Sequence, residues 1–223
     1  MKHLISCGSI FFAFLFTLFT SCPASTQTAH YLERVDLFSQ LNDIDSTSVV
    51  MLGNSLTENG GDWNVLLGTT GVVNRGIIGD DAHGIIRRLH QILPHRPKAI
   101  FLMCGTNDLS HNLTPHQVFD SVRIVIDSIR AGSPGTKLYV QSLLPFNESF
   151  KRWKTLEGKS RDIPAINRLL RQYCREQHIT FINLYPYFIR KGTATLQRSL
   201  TTDGLHLSKP GYQIWAATLR RYM

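Results

Sequence analysis

The sequence has few cysteines and no internal repeat. Cys7 and Cys22 fall near the amino terminus, which leaves Cys104 and Cys174 for the folded part. Two cysteines do not make a disulfide framework, and both lie in apolar patterns that predict buried, unpaired thiols. Since no general base is evident beside Cys104, a thiol nucleophile is not expected.

The usual patterns that hold metals and nucleotides are also missing. No His, Cys or Asp cluster has the spacing of metal ligands, so we expect neither a metal nor another cofactor. The glycine-containing stretch 53–61 follows a predicted strand, but it lacks the Lys-Ser/Thr pair of a phosphate-binding loop. A nucleotide-binding protein is therefore the last-ranked alternative.

The amino terminus has the pattern of a secretory signal. Lys2 precedes a mostly apolar run over residues 10–19, and small polar residues follow over 20–25. A membrane-spanning helix needs roughly 20 apolar residues, about twice the length of this run. We predict a signal peptide over 1–24, with its cleavage site left open, and export to the periplasm or outside the cell; an uncleaved anchor is the lesser alternative.

Residues 19–22, Phe-Thr-Ser-Cys, resemble a bacterial lipoprotein cleavage box. Phe19 stands where Leu is usual, and Pro23 follows directly. A lipid on Cys22 would hold the chain at the cell envelope, and it is the one membrane attachment we consider. The remaining residues, 25–223, are predicted to form a single domain.

The chain is basic, with a formal net charge of +8. For an exported protein, nucleic acid is a poor partner, so we expect none. Solvated helix faces account for most such charge. A sharper alternative is an anionic substrate, such as an acidic glycan or a lipid headgroup, which a positive field would attract.

Apolar runs and helical patterns alternate throughout the rest of the chain. This alternation predicts an α/β fold with a parallel sheet and helices on both faces. Ligands in such folds bind beyond the carboxyl ends of the strands. The predicted strands are 49–52, 72–74, 99–104, 137–143 and 180–184, and the predicted helices are about 63–67, 82–93, 115–130, 164–177 and 210–221.

Polar residues with catalytic potential follow these strand ends. Ser55 comes directly after the first strand, and Gly53 allows a tight turn before it. A serine here is commonly a helix N-cap, which is the alternative role for Ser55 alone. Asp203 and His206 are three residues apart before the last helix, so the carboxylate can orient the imidazole as a base for Ser55.

Gly79 and Asn107 complete the predicted site as oxyanion donors. The backbone N–H of Gly79 has no Cβ in front of it, the Asn107 amide can reach across from the third strand, and the Ser55 N–H is the third donor. A simple turn glycine and a loop amide tied to backbone are the alternatives. A Ser-His-Asp triad with three oxyanion donors is an acyl-transfer site.

These blocks resemble the SGNH hydrolases of the GDSL esterase/lipase superfamily, over nearly the whole exported domain. The resemblance implies a flavodoxin-like three-layer α/β/α sandwich with a five-stranded parallel sheet and a cofactor-free carboxylic ester hydrolase. It assigns the family's Ser, Gly, Asn and His to Ser55, Gly79, Asn107 and His206. Asn54 stands where the family name has Asp, which puts local pKa tuning in doubt more than activity.

The second block, 74–83 with Arg87 or Arg88 after it, resembles the platelet-activating-factor acetylhydrolase branch and nearby carbohydrate O-acetylesterases. We therefore expect an acetyl ester on a small molecule or glycan. Trp153, Lys151 and Arg152 lie in a basic segment, 146–162, at the predicted rim. There Trp153 either stacks on a sugar or packs its own loop to the body. A lysophospholipase, a thioesterase and an inert glycan-binding protein remain alternatives; the oligomeric state is left open.

Overall fold

A computed structural model describes residues 28–223. The predicted signal peptide, with Lys2 and Cys22, lies outside the described residues, so export, lipid attachment and the domain boundary at 24/25 stay predictions. Between Thr28 and Met223 no helix combines the length and hydropathy needed to cross a membrane.

The centre of the fold is a five-stranded sheet in which all pairings are parallel, in the order β2-β1-β3-β4-β5. This confirms the predicted sheet. Every residue of the first and third strands is buried, as expected for central strands covered by helices on both faces. The strands are β1 Val49–Gly53, β2 Val72–Gly76, β3 Ala99–Met103, β4 Lys137–Gln141 and β5 Thr180–Ile182.

Helices cover the sheet on both faces. The longest is capped as its sequence predicts, since Thr114 and Gln117 form a capping box and proline occupies the first turn. The α-helices are α1 Ala29–Gln40, α2 Ser55–Glu58, α3 Trp63–Leu67, α4 Ala82–Arg88, α5 Thr106–Ser110, α6 Pro115–Gly132, α7 Asp162–Glu176, α8 Tyr185–Phe188 and α9 Lys209–Leu219.

Four of these helices were not predicted. Helix α1 buries only Tyr31 and Phe38, so its sequence lacks a clear apolar stripe. Helices α2, α5 and α8 are single turns, too short to show a period. The predicted helix 82–93 was too long: α4 ends at Arg88, and two 3-10 turns follow, the second of which contains Pro94.

The strand order brings three loops to one place. Because β1 lies between β2 and β3, Gly53 at the end of β1 pairs with Gly76 on one side and Met103 on the other. The segments after these three strands contain Ser55, Gly79 and Asn107. The strands that follow β1 are added first on one side of it, as β2, and then on the other, as β3. Open α/β sheets bind their ligands at such a point.

Glycine is required where α2 meets β2. A Cβ at Gly76 would overlap the backbone of Thr57 and Glu58. The side chain of Asn74 fastens the same contact, since its amide donates to the carbonyl oxygens of Thr57, Glu58 and Gly61. The turn that holds Ser55 is thus fixed to the neighbouring strand.

A buried ion pair connects the ends of β1 and β2. Arg88 is fully buried; its Nε donates to Asp80 Oδ2 at 2.8 Å, and its Nη2 donates to the carbonyl oxygen of Gly53 at 3.1 Å. Removing one partner of such a pair leaves an uncompensated buried charge. Arg88 therefore holds the residue after Gly79 in a fixed relation to the strand that ends before Ser55.

A second buried carboxyl lies nearby. Burial, aided by the charge of Asp81, raises the pKa of Asp108 to about 7, although the Ala82 N–H donates to this carboxyl and opposes the rise. Burial likewise raises the pKa of Asp80 to about 6, against the opposing charge of Arg88. Both carboxyls belong to the segments that follow β2 and β3.

Replacing Asp108 by Asn should change how stability depends on pH. The folded-state pKa is about 7 against an ordinary value of 3.8, so the folded state binds more protons between these values. The contribution of the Asp108 carboxyl to the free energy of unfolding is present at low pH and is lost as pH rises through about 7. Relative to the wild type, Asp108→Asn should therefore gain on the order of 2–4 kcal/mol in unfolding free energy between about pH 4 and about pH 8.

Urea denaturation at both pH values measures this difference. Asp36→Asn, at an exposed carboxylate on α1, is the matched control and should differ from the wild type equally at both. An Asp108→Asn difference that is the same at both pH values would contradict the buried, raised-pKa carboxyl.

Candidate active site

Ser55 lies two residues after the end of β1, as the first residue of α2. The helix is capped by Asn54, whose Oδ1 accepts a hydrogen bond from the Leu56 N–H at 3.0 Å. The capping role considered for Ser55 thus belongs to its neighbour, and the Ser55 hydroxyl is left to interact elsewhere. Asn54 performs this task without the charge that an Asp would bring beside the hydroxyl.

The Ser55 hydroxyl meets His206 across a long stretch of sequence. The distance between His206 Nε2 and Ser55 Oγ is 3.0 Å, and that between His206 Nδ1 and Asp203 Oδ2 is 2.7 Å. The structure therefore brings together Ser55, His206 and Asp203 in the order that base-assisted nucleophilic attack requires.

The carboxylate of Asp203 is itself oriented by the loop. Its Oδ1 accepts hydrogen bonds from the N–H groups of Leu205 and His206 at 2.9 and 2.8 Å. Burial opposes ionisation, but the hydrogen bonds from His206 and from these N–H groups outweigh it and hold the pKa of Asp203 below its usual value. Asp203 is thus a charged acceptor that fixes the orientation of the imidazole ring.

Thr201 stiffens this loop from within. Its Oγ1 accepts from the Gly204 N–H at 2.8 Å and donates to the His206 carbonyl oxygen at 2.7 Å. The following helix reaches the serine turn directly, since Tyr212 Oη donates to the Leu56 carbonyl oxygen at 2.8 Å. Hydrogen bonds therefore hold the loop that carries the base, and α9 holds the turn that carries the serine.

Gly79 lies in a turn with φ of +82°, a left-handed conformation that favours glycine. A Cβ there would meet no heavy atom within 4 Å, so the space in front of this turn is open. In the part of the chain that the structure describes, neither the Gly79 N–H nor the Ser55 N–H donates to another protein group. The turn role considered for Gly79 holds, and its N–H also remains available.

Asn107 reaches across to the same turn. Its Nδ2 donates to the carbonyl oxygen of Asp80 at 2.8 Å, which uses one of the two amide hydrogens. The backbone tie considered for this residue is therefore present, and it directs the amide to the residue after Gly79. The second hydrogen of the amide is left for a ligand.

The predicted rim residues divide into two groups. Trp153 packs its indole edge-on against the His206 ring, with centroids 5.1 Å apart and planes at 75°, and it is 37% exposed. Of the two roles considered for Trp153, the structure shows packing of its loop to the body, and the residue it packs against is His206. Lys151 and Arg152 are exposed beside it and line a neighbouring cavity rather than contact the serine.

Two residues that shape the site were not singled out by sequence reasoning. Arg87 and Arg88 could not be distinguished, but Arg87 is exposed while Arg88 is buried against Asp80. Asn147 joins the rim loop to the catalytic loop, since its N–H donates to the Gly204 carbonyl oxygen at 2.7 Å. Arg88 and Asp80 are eight residues apart, and Asn147 and Gly204 are 57 apart, so neither pair shows as a helical spacing in the sequence.

Between Thr28 and Met223, the other His–carboxylate pairs have no serine or cysteine hydrogen-bonded to the ring. His30 pairs with Glu58 at 3.0 Å, and His111 lies 3.5 Å from Asp81. Within residues 28–223, no three His, Cys, Asp or Glu side chains are grouped so as to hold a metal ion. Cys104 and Cys174 are free and buried, as predicted. Ser55, His206 and the free N–H groups are thus the candidate catalytic groups among the described residues.

Comparison with known proteins agrees with this architecture. The model of the GDSL-like Lipase/Acylhydrolase family matches residues 51–214. No curated protein matches the chain significantly. Among solved structures, a Streptococcus pneumoniae protein described as a platelet activating factor shares 24% identity at a TM-score of 0.75, over 88% of this chain and 92% of its own.

Two further solved structures have the same fold. A GDSL-like lipase from Bacteroides thetaiotaomicron shares 23% identity at a TM-score of 0.74, covering 86% of this chain and 96% of its own. An acetyl xylan esterase shares 19% identity at a TM-score of 0.64, covering 79% and 99%. The family model spans most of the chain, from β1 to α9. The protein therefore belongs to the GDSL-like lipase/acylhydrolase family, the SGNH hydrolases, and is a carboxylic ester hydrolase.

Proposed function

We propose that the protein is an exported serine esterase that removes short acyl groups, acetyl first among them, from a carbohydrate. The observation that carries the proposal is the pair of contacts made by His206, one to Ser55 Oγ at 3.0 Å and one to Asp203 Oδ2 at 2.7 Å. A hydroxyl becomes an effective nucleophile when a positioned base accepts its proton.

In the first step, His206 Nε2 accepts the proton of Ser55 as Oγ attacks the ester carbonyl carbon. Asp203 stabilises the imidazolium that forms and keeps the ring in the tautomer with its proton on Nδ1. When the tetrahedral intermediate collapses, the imidazolium gives its proton to the leaving alcohol oxygen. An acyl-serine remains.

The negative charge on the carbonyl oxygen is held by the Ser55 N–H, the Gly79 N–H and the Asn107 amide. These groups are preorganised: the two N–H groups have no protein acceptor among residues 28–223, and Asn107 is already fixed by Asp80. Each donor of this kind contributes about 2.7–4 kcal/mol to the transition state. In the second step, His206 activates a water molecule, which releases the acid and restores Ser55.

Several features favour a short acyl group on a sugar. The sequence offers no long apolar lid, and an acetyl xylan esterase is among the solved structures with this fold. A partly exposed tryptophan flanks the base, and such rings pack well against sugars. The basic charge and the signal pattern over 1–24 favour a substrate at or beyond the cell envelope.

Ser55→Ala should abolish turnover, because Ser55 is the one hydroxyl bonded to the His206 ring among residues 28–223. On a panel of p-nitrophenyl esters from acetyl to long acyl chains, the wild type should act best on acetyl. Ser55→Ala should lose at least about 1,000-fold in kcat.

Ser39→Ala, at an exposed serine on α1, is the matched control and should keep full activity; circular dichroism should show Ser55→Ala folded. Turnover that persists in folded Ser55→Ala would overturn the serine mechanism. Activity that rises with acyl length would favour the lysophospholipase or thioesterase reading, and binding of a glycan without turnover on any ester would favour an inert glycan-binding protein.

Asp203→Asn should keep the loop but lose most of the rate. Asn retains an oxygen that can accept from the Leu205 and His206 N–H groups, yet it cannot stabilise an imidazolium and favours the wrong tautomer. We expect kcat for p-nitrophenyl acetate to fall roughly 10³–10⁴-fold with little change in the melting temperature. Asp36→Asn is again the control, and an Asp203→Asn enzyme with near-normal kcat would remove Asp203 from the triad.

A further inference from the structure

A cavity of about 230 Å³ lies against the loop that carries the base. Trp153, Gly204 and Phe146 form part of its wall. Gly204 belongs to the Asp203–His206 loop, and Trp153 touches the His206 ring. The cavity is therefore separated from the catalytic base by a single aromatic ring.

The wall of this cavity is built onto the catalytic loop. Asn147 donates from its N–H to the Gly204 carbonyl oxygen at 2.7 Å and from its Nδ2 to the Leu196 carbonyl oxygen at 2.9 Å. Gly204 has φ of +95°, and a Cβ there would overlap the Asn147 carbonyl oxygen. The rim loop is thus preformed, which lowers the entropic cost of binding a ligand.

The charges around the cavity favour an anion. Lys151, Arg152 and Lys154 line it, and among the residues that the structure describes none of the three takes part in an ion pair. Two carboxylates, Glu148 and Glu157, also line it.

The Glu148 carboxylate is already satisfied, since its oxygens accept from the N–H groups of Gly158 and Ser160 at 2.8 and 3.0 Å. Glu148 keeps its charge but is held by these N–H groups, so the cavity lining carries three cations against two carboxylates and is positive on balance.

The chemistry of ester cleavage indicates which part of the substrate lies near this cavity. The imidazole of His206 must protonate the leaving alcohol, so the alcohol oxygen departs next to Nε2. Trp153 flanks that ring and is partly exposed. An alcohol larger than a few atoms would extend past His206 along Trp153 towards the three cations.

We propose that this cavity is the subsite for the alcohol part of the ester, and that its occupant is a carboxylated sugar. The inference rests on the proposed function, because it takes the direction of the leaving group from the mechanism. Trp153 supplies an apolar face for the ring, and Arg152 and Lys154 supply charged donors for the carboxylate.

Two substrates that differ only in the carboxylate test the proposal. Methyl glucuronoside and methyl glucoside, each carrying one acetyl group at the same position, are compared by the release of acetate. We expect kcat/KM for the uronoside to be about tenfold higher, the size of one charge-assisted hydrogen bond. An acetylated methyl glycoside of N-acetylneuraminic acid is the third arm; whichever of the two acids is turned over faster identifies the source of the carboxylate.

Arg152→Gln/Lys154→Gln should remove that preference by lowering kcat/KM for the uronoside. The matched control is Lys98→Gln/Arg175→Gln, which removes the same charge at two exposed residues that precede β3 and β5, at the opposite edge of the sheet. The control should keep the preference, which separates a local contact from the field of the whole protein.

The outcomes separate the two proposals. Ser55-dependent hydrolysis of p-nitrophenyl acetate with equal kcat/KM for uronoside and glucoside would overturn the subsite and leave the esterase intact. A preference that survives in Arg152→Gln/Lys154→Gln would overturn its assignment to this cavity. No Ser55-dependent hydrolysis of any ester would overturn the proposed function itself.

Discussion

The hydrogen bond between His206 Nε2 and Ser55 Oγ is the contact on which the site depends, and it joins residues 151 positions apart. Each of the two residues is positioned by other parts of the structure as well. Ser55 is placed by β1 and by the Asn54 cap, and His206 by Asp203 and Thr201. A shift of either loop would move His206 Nε2 away from the proton on Ser55 Oγ. Catalysis therefore requires that both loops be held in fixed positions at the edge of the sheet.

The same edge carries an unusual amount of buried charge. Arg88 ties Asp80 to the end of β1, and the carbonyl oxygen of Asp80 in turn fixes Asn107. Burying this pair costs desolvation energy, and a well-packed apolar pair would often be as stable. What the ion pair adds is position: it sets the oxyanion turn against the serine turn, and both are proposed to act on one carbonyl group.

The strands and the reactive residues could be predicted from sequence because their signals are local. Ala99–Met103 is an unbroken apolar run, and the spacing of Asp203 and His206 by itself indicates a pair. The choice between Arg87 and Arg88 could not be predicted, since it depends on a partner, Asp80, on the turn before α4. Trp153 shows the same limit, since its contact with His206 joins two residues 53 positions apart on different loops.

Activation of Ser55 by His206 can be tested by covalent labelling. A fluorophosphonate forms a phosphorus–oxygen bond to an activated serine and releases fluoride, so peptide mass spectrometry locates the nucleophile. We expect one adduct, on Ser55, whose formation is slowed strongly by His206→Ala but not by His90→Ala at an exposed histidine. An adduct on another residue, or labelling of Ser55 at the same rate without His206, would contradict it.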